Sequence, residues 1–166
     1  MFELRPLPYD HHDARLLTER AQDYYVQIYG GRDEDPLGAA NLAPPLGGFV
    51  VGYLDGLPVA MGGWHLTDDP GEVGVAHLRR MFVEARLRRR GLAAAVLAHL
   101  EHDAAHHGAT MIILATGRPQ QEAIAFYRRH GYTDIPPFGF YADGDLVVCL
   151  GKRLTRTGDA EVQPTS

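Results

Sequence analysis

The sequence contains one cysteine, Cys149, among its 166 residues. No internal disulfide can form, and the apolar setting "LVVCL" predicts a buried thiol, suited to a reducing compartment. No apolar stretch approaches the roughly 20 residues that cross a bilayer, and the opening "MFELRPLPYDHHDAR" has no hydrophobic core of signal-peptide length. A cytoplasmic protein without a membrane partner is expected. Neither G-x-x-x-x-G-K-[ST] nor G-x-G-x-x-G occurs, which counts against nucleotide hydrolysis and dinucleotide binding. Internal repeats are missing too, and the length suits one domain. Positive charge is in deficit overall, at −5. Yet six arginines stand against one glutamate between Arg79 and Gly91, so that short stretch carries +5. A chain that wraps nucleic acid is more often basic throughout, whereas one cationic spot on an acidic body suits a compact anion such as a phosphorylated cofactor.

What is present reads as alternating strands and helices. "FELRPL" alternates like a short strand, and "HHDARLLTERAQDYYVQIYG" has apolar positions at helical spacing. The Gly- and Pro-rich acidic segment from Gly30 to Gly48 predicts a surface loop with room for a helical turn. "FVVGYL" and "LPVAMGGWHL" flank Asp55-Gly56, a type I′ hairpin signal. "VAHLRRMFV" predicts a third strand, with Val75, His77, Arg79 and Met81 on one side and Ala76, Leu78, Arg80 and Phe82 on the other. Leu92, Val96 and Leu100 form one apolar helical face, with Gly108 as the expected stop. "TMIILATG" is nearly all apolar, as in a strand covered on both faces. Strand, helix, strand implies a right-handed parallel crossover. Pro119 suits a first helical turn, "QQEAIAFYRRHGY" reads as a helix closed by Gly131, and "DLVVCLGKRL" is the last strand.

The arginines run into the start of the long helix. "RRRGLAAA" has no Ser, Thr, Asp or Asn at the capping position, so free backbone N–H groups and the positive end of the helix dipole are offered to an anion. Gly91 lets backbone come close to a ligand, and the alanines keep the surface low. Arginines on the approach would add charge-assisted hydrogen bonds to phosphate. A solvated loop in which Gly91 is only a turn is the alternative.

Arg88-Arg89-Arg90-Gly91-Leu92-Ala93 matches the [QR]-x-x-G-x-[GA] signature of the GNAT-type N-acetyltransferases. Ala123, Tyr127, Gly131 and Tyr132 resemble the A-x-x-x-Y-x-x-x-G-[FY] helix of the same family. The order of elements resembles it from about residue 2 to 154, and the segment from Leu114 to Tyr141 looks like one subgroup of small bacterial members. The resemblance implies a single α/β domain over 1–154, followed by a flexible polar tail, 155–166. Its mixed sheet would have six or seven strands, mostly antiparallel and splayed at one parallel junction, with helices on both faces.

The implied activity is transfer of the acetyl group of acetyl-CoA to an amine by direct attack in a ternary complex, with no metal. By the family match, backbone from Arg88 through Arg89, Arg90, Gly91, Leu92 and Ala93 would hold the pyrophosphate. Met81, Phe82 and Val83 would pair with the pantetheine arm, and a backbone N–H near Phe82 or Val83 would face the thioester carbonyl. Tyr127 takes the general-acid position, with a core tyrosine as the alternative. Gln120 stands where relatives often carry Asn, and its longer amide still reaches toward the cofactor. The usual carboxylates are replaced by His77 and Ala115. His77 is the candidate base, with His65, Glu72 or a water chain as the other options.

Other patterns point less far. His99, His102 and His106 share a helix side, but no H-E-x-x-H or cysteine partner supports zinc. Trp64 and Phe49 read as core. The acidic loop with Asp33, Glu34 and Asp35 is expected to be solvated, or else to draw a cationic amine. Phe138, Phe140 and Tyr141 either shape the acceptor pocket or pack under a proline turn. A catalytically silent acyl-CoA-binding or regulatory domain is the rival function, favoured by the missing carboxylates; a nucleic-acid module using "RLRRRG" is the third. A homodimer is compatible with an exposed last strand.

Overall fold

The computed structural model describes residues 1–67 and 73–155. They form two compact units, one from residues 1–65 and 78–100, the other from 66–77 and from 101 onward.

The first unit starts with β1 (Phe2–Pro6) and α1 (His12–Tyr29). Ala14, Leu17 and Ala21, at helical spacing on α1, are all buried. Gly30 ends the helix in the left-handed conformation, φ 79°, its N–H donating to the Val26 carbonyl at 2.9 Å, as C-terminal caps require. An irregular stretch and a short 3-10 turn at Ala39–Leu42 lead to the hairpin of β2 (Gly47–Leu54) and β3 (Leu57–Thr67). Its turn residues Asp55 and Gly56 have φ of 51° and 84°, the paired positive angles of a type I′ turn. β1 runs antiparallel to β2 from Phe2↔Leu54 to Pro6↔Val50. Phe49, Val51 and Tyr53 alternate onto one face of β2 and pack with the buried α1 residues, Leu42 and Met61. Each large apolar side chain buried in such a core contributes roughly 1.5–3 kcal/mol.

The strand β4 (Val75–Val83) and the helix α2 (Leu92–His106) each serve both units. In the second unit, the first half of β4 pairs in parallel with β5 (Met111–Gly117), from Val75↔Met111 to His77↔Ile113. After α3 (Gln121–Arg129) come β6 (Thr133–Asp134) and β7 (Val147–Arg153). β7 lies antiparallel to both β5 and β6. The hydrogen-bonded order is β1-β2-β3-β4-β5-β7-β6, a seven-stranded mixed sheet. Ile112, Ile113 and Leu114 are all buried, as the apolar run of β5 predicts. Tyr132 donates its hydroxyl hydrogen to Glu101 Oε2 at 2.7 Å, and Lys152 Nζ reaches Glu101 Oε1 at 3.1 Å.

Three local expectations change. Pro119 lies in the turn before α3, not in its first helical turn, because Gln120 is the N-cap. The last strand β7 is not the exposed edge expected for pairing in a homodimer, because β6, two residues long and too short to leave a period in the sequence, pairs along its outer side. The side-chain alternation expected along β4 breaks at Arg80, which has φ 58°. All of the predicted tail beyond Thr155 lies outside the described residues.

Candidate active site

In the first unit the segment from Met81 to Ala93 is continuous: the end of β4, a tight 3-10 turn at Ala85–Leu87, and the entry to α2. Leu87 and Leu92 are buried and anchor the turn from below, while Arg89, Arg90 and Gly91 are exposed. The Ala95 N–H donates to the Gly91 carbonyl at 3.1 Å, so Gly91 occupies the capping position with no side chain to fill it. Leu92, Ala93 and Ala94 therefore begin the helix without an acceptor one turn back, and no acidic residue stands in that first turn. Gly91 has φ 81°, and a Cβ placed on it would meet nothing within 4 Å. Arg89 also has a positive φ, 66°. The chain thus turns twice through left-handed conformations and leaves open space in front of the helix start, which suits a phosphate-bearing group.

The arginines divide into three kinds. Arg88 is turned back: its Nε donates to the Val83 carbonyl at 3.2 Å, and its guanidinium lies 4.8 Å from the Tyr24 ring centroid. Its side chain is committed within the unit, whereas Arg89 and Arg90 are exposed. Arg79 and Arg80 are enclosed, with side chains 9% and 8% exposed. Arg80 Nε donates to the Tyr9 hydroxyl at 3.0 Å, and its Nη1 donates to Asp33 Oδ2. Arg79 Nη2 lies 2.8 Å from Asp35 Oδ2. Asp33 and Asp35 are the acids of the loop expected to be solvated or to draw an amine. Both are folded onto β4 as counter-charges, because an enclosed guanidinium needs an anion nearby. Burial pushes the Arg79 guanidinium below its usual range. Burial has the same tendency at Arg80, but Tyr9 and Asp33 outweigh it and hold the group above that range. The neighbouring Glu84 is paired with Arg20.

In the second unit, His77 is half-buried on β4 with its ring edge-on to Phe138, centroids 5.1 Å apart. Phe138 belongs to the core of this unit with Val75, Ile113 and Cys149, while Phe140 and Tyr141 are exposed. Tyr127 is buried on α3, its ring 5.2 Å from Phe126 and 5.5 Å from Tyr132. Gln120 caps α3 through its backbone: the Ile124 N–H donates to its carbonyl at 3.0 Å, and its side chain makes no capping bond. Ala115 is exposed on β5. Of the other base candidates, His65 Nε2 lies 3.2 Å from Arg79 Nη1 in the first unit, and Glu72 lies outside the described residues.

His99, His102 and His106 make no group of metal-ligand atoms among the described residues. The group that does is His11, His12 and Asp13. Its atoms are already engaged at the start of α1: His11 Nδ1 accepts from the Asp13 N–H at 3.1 Å, and the Asp13 carboxylate accepts the Tyr53 hydroxyl hydrogen. An adjacent pair of histidines at a helix start was the visible signal for that group. The burial of Arg79 and Arg80 leaves no local signal, since Asp35, Asp33 and Tyr9 lie more than forty residues earlier and His65 stands on a different strand.

Residues 9–132 match the model of the acetyltransferase (GNAT) family. The chain is 30% identical over 138 residues to a protein of Azospirillum brasilense named IAA acetyltransferase, spanning 83% of this chain and 88% of that protein. Among solved structures, a protein of Klebsiella pneumoniae assigned as an acyl-CoA N-acyltransferase superimposes with a TM-score of 0.76 at 24% identity, covering 93% of this chain and 99% of that one. PaiA N-acetyltransferase from Thermoplasma acidophilum, solved with coenzyme A, gives 0.66 at 13% identity, covering 92% and 99%. At these identities the structural likenesses establish the fold.

Proposed function

The chain belongs to the GNAT family and is an acetyl-CoA-dependent acetyltransferase, and on that premise we propose that it acetylates an amine by direct attack with both substrates bound. Acetyl-CoA supplies an activated thioester; the protein's work is to hold it, to remove a proton from the amine and to return one to the departing sulfur. The observation that carries the reading is the bare start of α2, where Gly91 caps the helix without a side chain and leaves the first N–H groups to an anion. Backbone from Arg88 to Ala93 holds the pyrophosphate, with Arg89 and Arg90 adding charge. Met81 to Val83 lies along the pantetheine arm, and a backbone N–H near Phe82 or Val83 stabilises the negative charge that grows on the carbonyl oxygen. Gln120 contacts the cofactor. His77 takes the amine proton and Tyr127 protonates the thiolate. Residues 1–154 act as one acetyltransferase domain in this reading. It works in the cytoplasm, alone or as a homodimer, with no nucleic acid, membrane or metal. IAA belongs in the acceptor screen beside simple amines.

Calorimetric titration with acetyl-CoA and CoA tests the reading. Wild type should bind both with affinity on the order of micromolar. Gly91→Asp should fold, because space around the Cβ position is open and Asp is among the residues that tolerate positive φ. It should lose about 100-fold in affinity as a carboxylate enters the anion site. A variant that binds as tightly as wild type would remove the phosphate role from this turn.

A further inference from the structure

Two adjacent arginines on β4 are satisfied unequally. Arg80 places Nε on the Tyr9 hydroxyl and Nη1 on Asp33. Arg79 is as deeply enclosed, yet its Nη2 makes no hydrogen bond. The Asp35 carboxylate 2.8 Å away attracts it as a charge, off the direction a hydrogen bond needs. A buried N–H donor without an acceptor is costly and uncommon in a folded protein.

We propose that Arg79 is the anchor for a carboxylate carried by the amine acceptor, which takes the place of Asp35 on the guanidinium. The inference rests on the acetyltransfer reading above. The loop is built for such an exchange because its two acids are held differently. Asp33 is fixed twice over: its N–H donates to Gln22 Oε1 at 2.8 Å and its carbonyl accepts from Gln22 Nε2 at 3.2 Å, Gln22 itself being buried. Its carboxylate holds Arg80 as well. Asp35 has the Arg79 contact and one local bond, from its own N–H to Asp33 Oδ1 at 3.0 Å. Its neighbours Glu34 and Pro36 are exposed, and the other contact of the guanidinium is from Nη1 to His65 Nε2 at 3.2 Å. Releasing Asp35 uncovers the guanidinium without unfastening the loop.

The ligand is identified by the donor. A guanidinium offers a planar fork that matches a carboxylate on two N–H groups, which the present Asp35 geometry does not use. The phosphates of acetyl-CoA are assigned to the turn nine to fourteen residues further on. Arg79 instead stands two residues before the segment assigned to the pantetheine arm, where the acceptor must arrive. The acceptor class is therefore an amine bearing a carboxylate, such as an amino acid or a short peptide. Nearby, a cavity of about 380 Å³ lined by Tyr9, Asp10, Arg15, Thr18, Glu19 and Ala39 shares Tyr9 with the Arg80 contact. Its Arg15 is the competing cation that the test must separate.

The test pairs binding with turnover. Amino acids and dipeptides, each beside its C-terminal amide, are screened by ligand-observed NMR on the full chain and by CoA release from acetyl-CoA. At least one free acid should bind and be acetylated, its amide being weaker by about 10- to 100-fold. Arg79→Met should erase that preference through KM with acetyl-CoA affinity unchanged, and Arg79→Lys should keep part of it. Asp35→Asn should lower KM for the acid. Acids and amides that bind alike, a preference that survives Arg79→Met, or one lost in Arg15→Met instead would each overturn the proposal. Because NMR detects the acid directly, failure to bind acetyl-CoA or to turn over would strike the acetyltransfer reading and leave the Arg79 result standing on its own.

Discussion

Tyr127 and Tyr132 are neighbouring rings on and after α3, and the proposed mechanism gives them different work. The Tyr132 hydroxyl is held by Glu101, and burial first, then the Glu101 charge, drives its ionisation far above the ordinary range. It is a structural phenol. Tyr127 is assigned the proton for the departing thiolate, and the two roles separate by substitution. Tyr127→Phe should lower kcat by about 100- to 10,000-fold, the span of general acid catalysis, with acetyl-CoA affinity and melting temperature close to wild type. Tyr132→Phe should do the reverse: near-normal kcat with a lowered melting temperature, because Glu101 loses one of its partners. Steady-state CoA release and thermal melts on the two variants check this. Unchanged kcat in Tyr127→Phe would return that tyrosine to the core.

Among the elements, close packing onto β3 makes the sharpest demand. A Cβ added at Gly62 would lie 2.7 Å from Met81 Sδ, 2.8 Å from Leu100 Cδ1 and 3.0 Å from Val96 Cγ1. Strand β3 therefore accepts the apolar face of α2 and the side chain of Met81 only because hydrogen stands there. Gly62→Val should destabilise the fold by about 1–3 kcal/mol through overpacking, read as a lower denaturant midpoint. It should also weaken acetyl-CoA binding, since Met81 begins the segment assigned to the cofactor. The sequence reveals the partners of that contact but not the contact. Leu92, Val96 and Leu100 announce a helix face, and Asp55-Gly56 announces a hairpin, because both signals are local and periodic. Gly62 reads only as one of two glycines in a strand. The glycine turn at Arg88–Ala93 was legible for the same local reason: an uncapped helix start can be seen in eight residues. The left-handed φ of Arg80 was hidden because tertiary partners, Tyr9 and Asp33, hold an unfavourable backbone state that no neighbour in sequence requests. The acidic loop departs from a solvated segment at Asp33 and Asp35 for the same reason, since its polarity suits water and only the two enclosed arginines explain why these acids are not left there.

Across the molecule, buried phenols set a limit at alkaline pH. Burial pushes Tyr25 up to about 12, and burial with the Asp13 carboxylate pushes Tyr53 up to about 12. Tyr132 is raised in the same direction. In the unfolded chain these phenols ionise near 10. A raised value in the fold means that the neutral phenol is favoured there, so the unfolded state gives up its protons first as pH rises. The stabilisation from these groups is whole below about pH 10 and is lost progressively between about 10 and 12. Melting temperature should accordingly be flat below that window and fall steeply through it. Of the eight tyrosines in the chain, the exposed ones should titrate first in ultraviolet absorbance, and the buried ones should ionise together with loss of helical circular dichroism. Tyr53→Phe should flatten the fall by removing one contributor. If all the tyrosines titrated near pH 10 with circular dichroism intact, these three phenols would be reachable by hydroxide in the folded state, and the packing of α1 against β2 around Asp13 and Tyr53 would have to be looser than the core contacts of Ala14, Leu17 and Val51 allow.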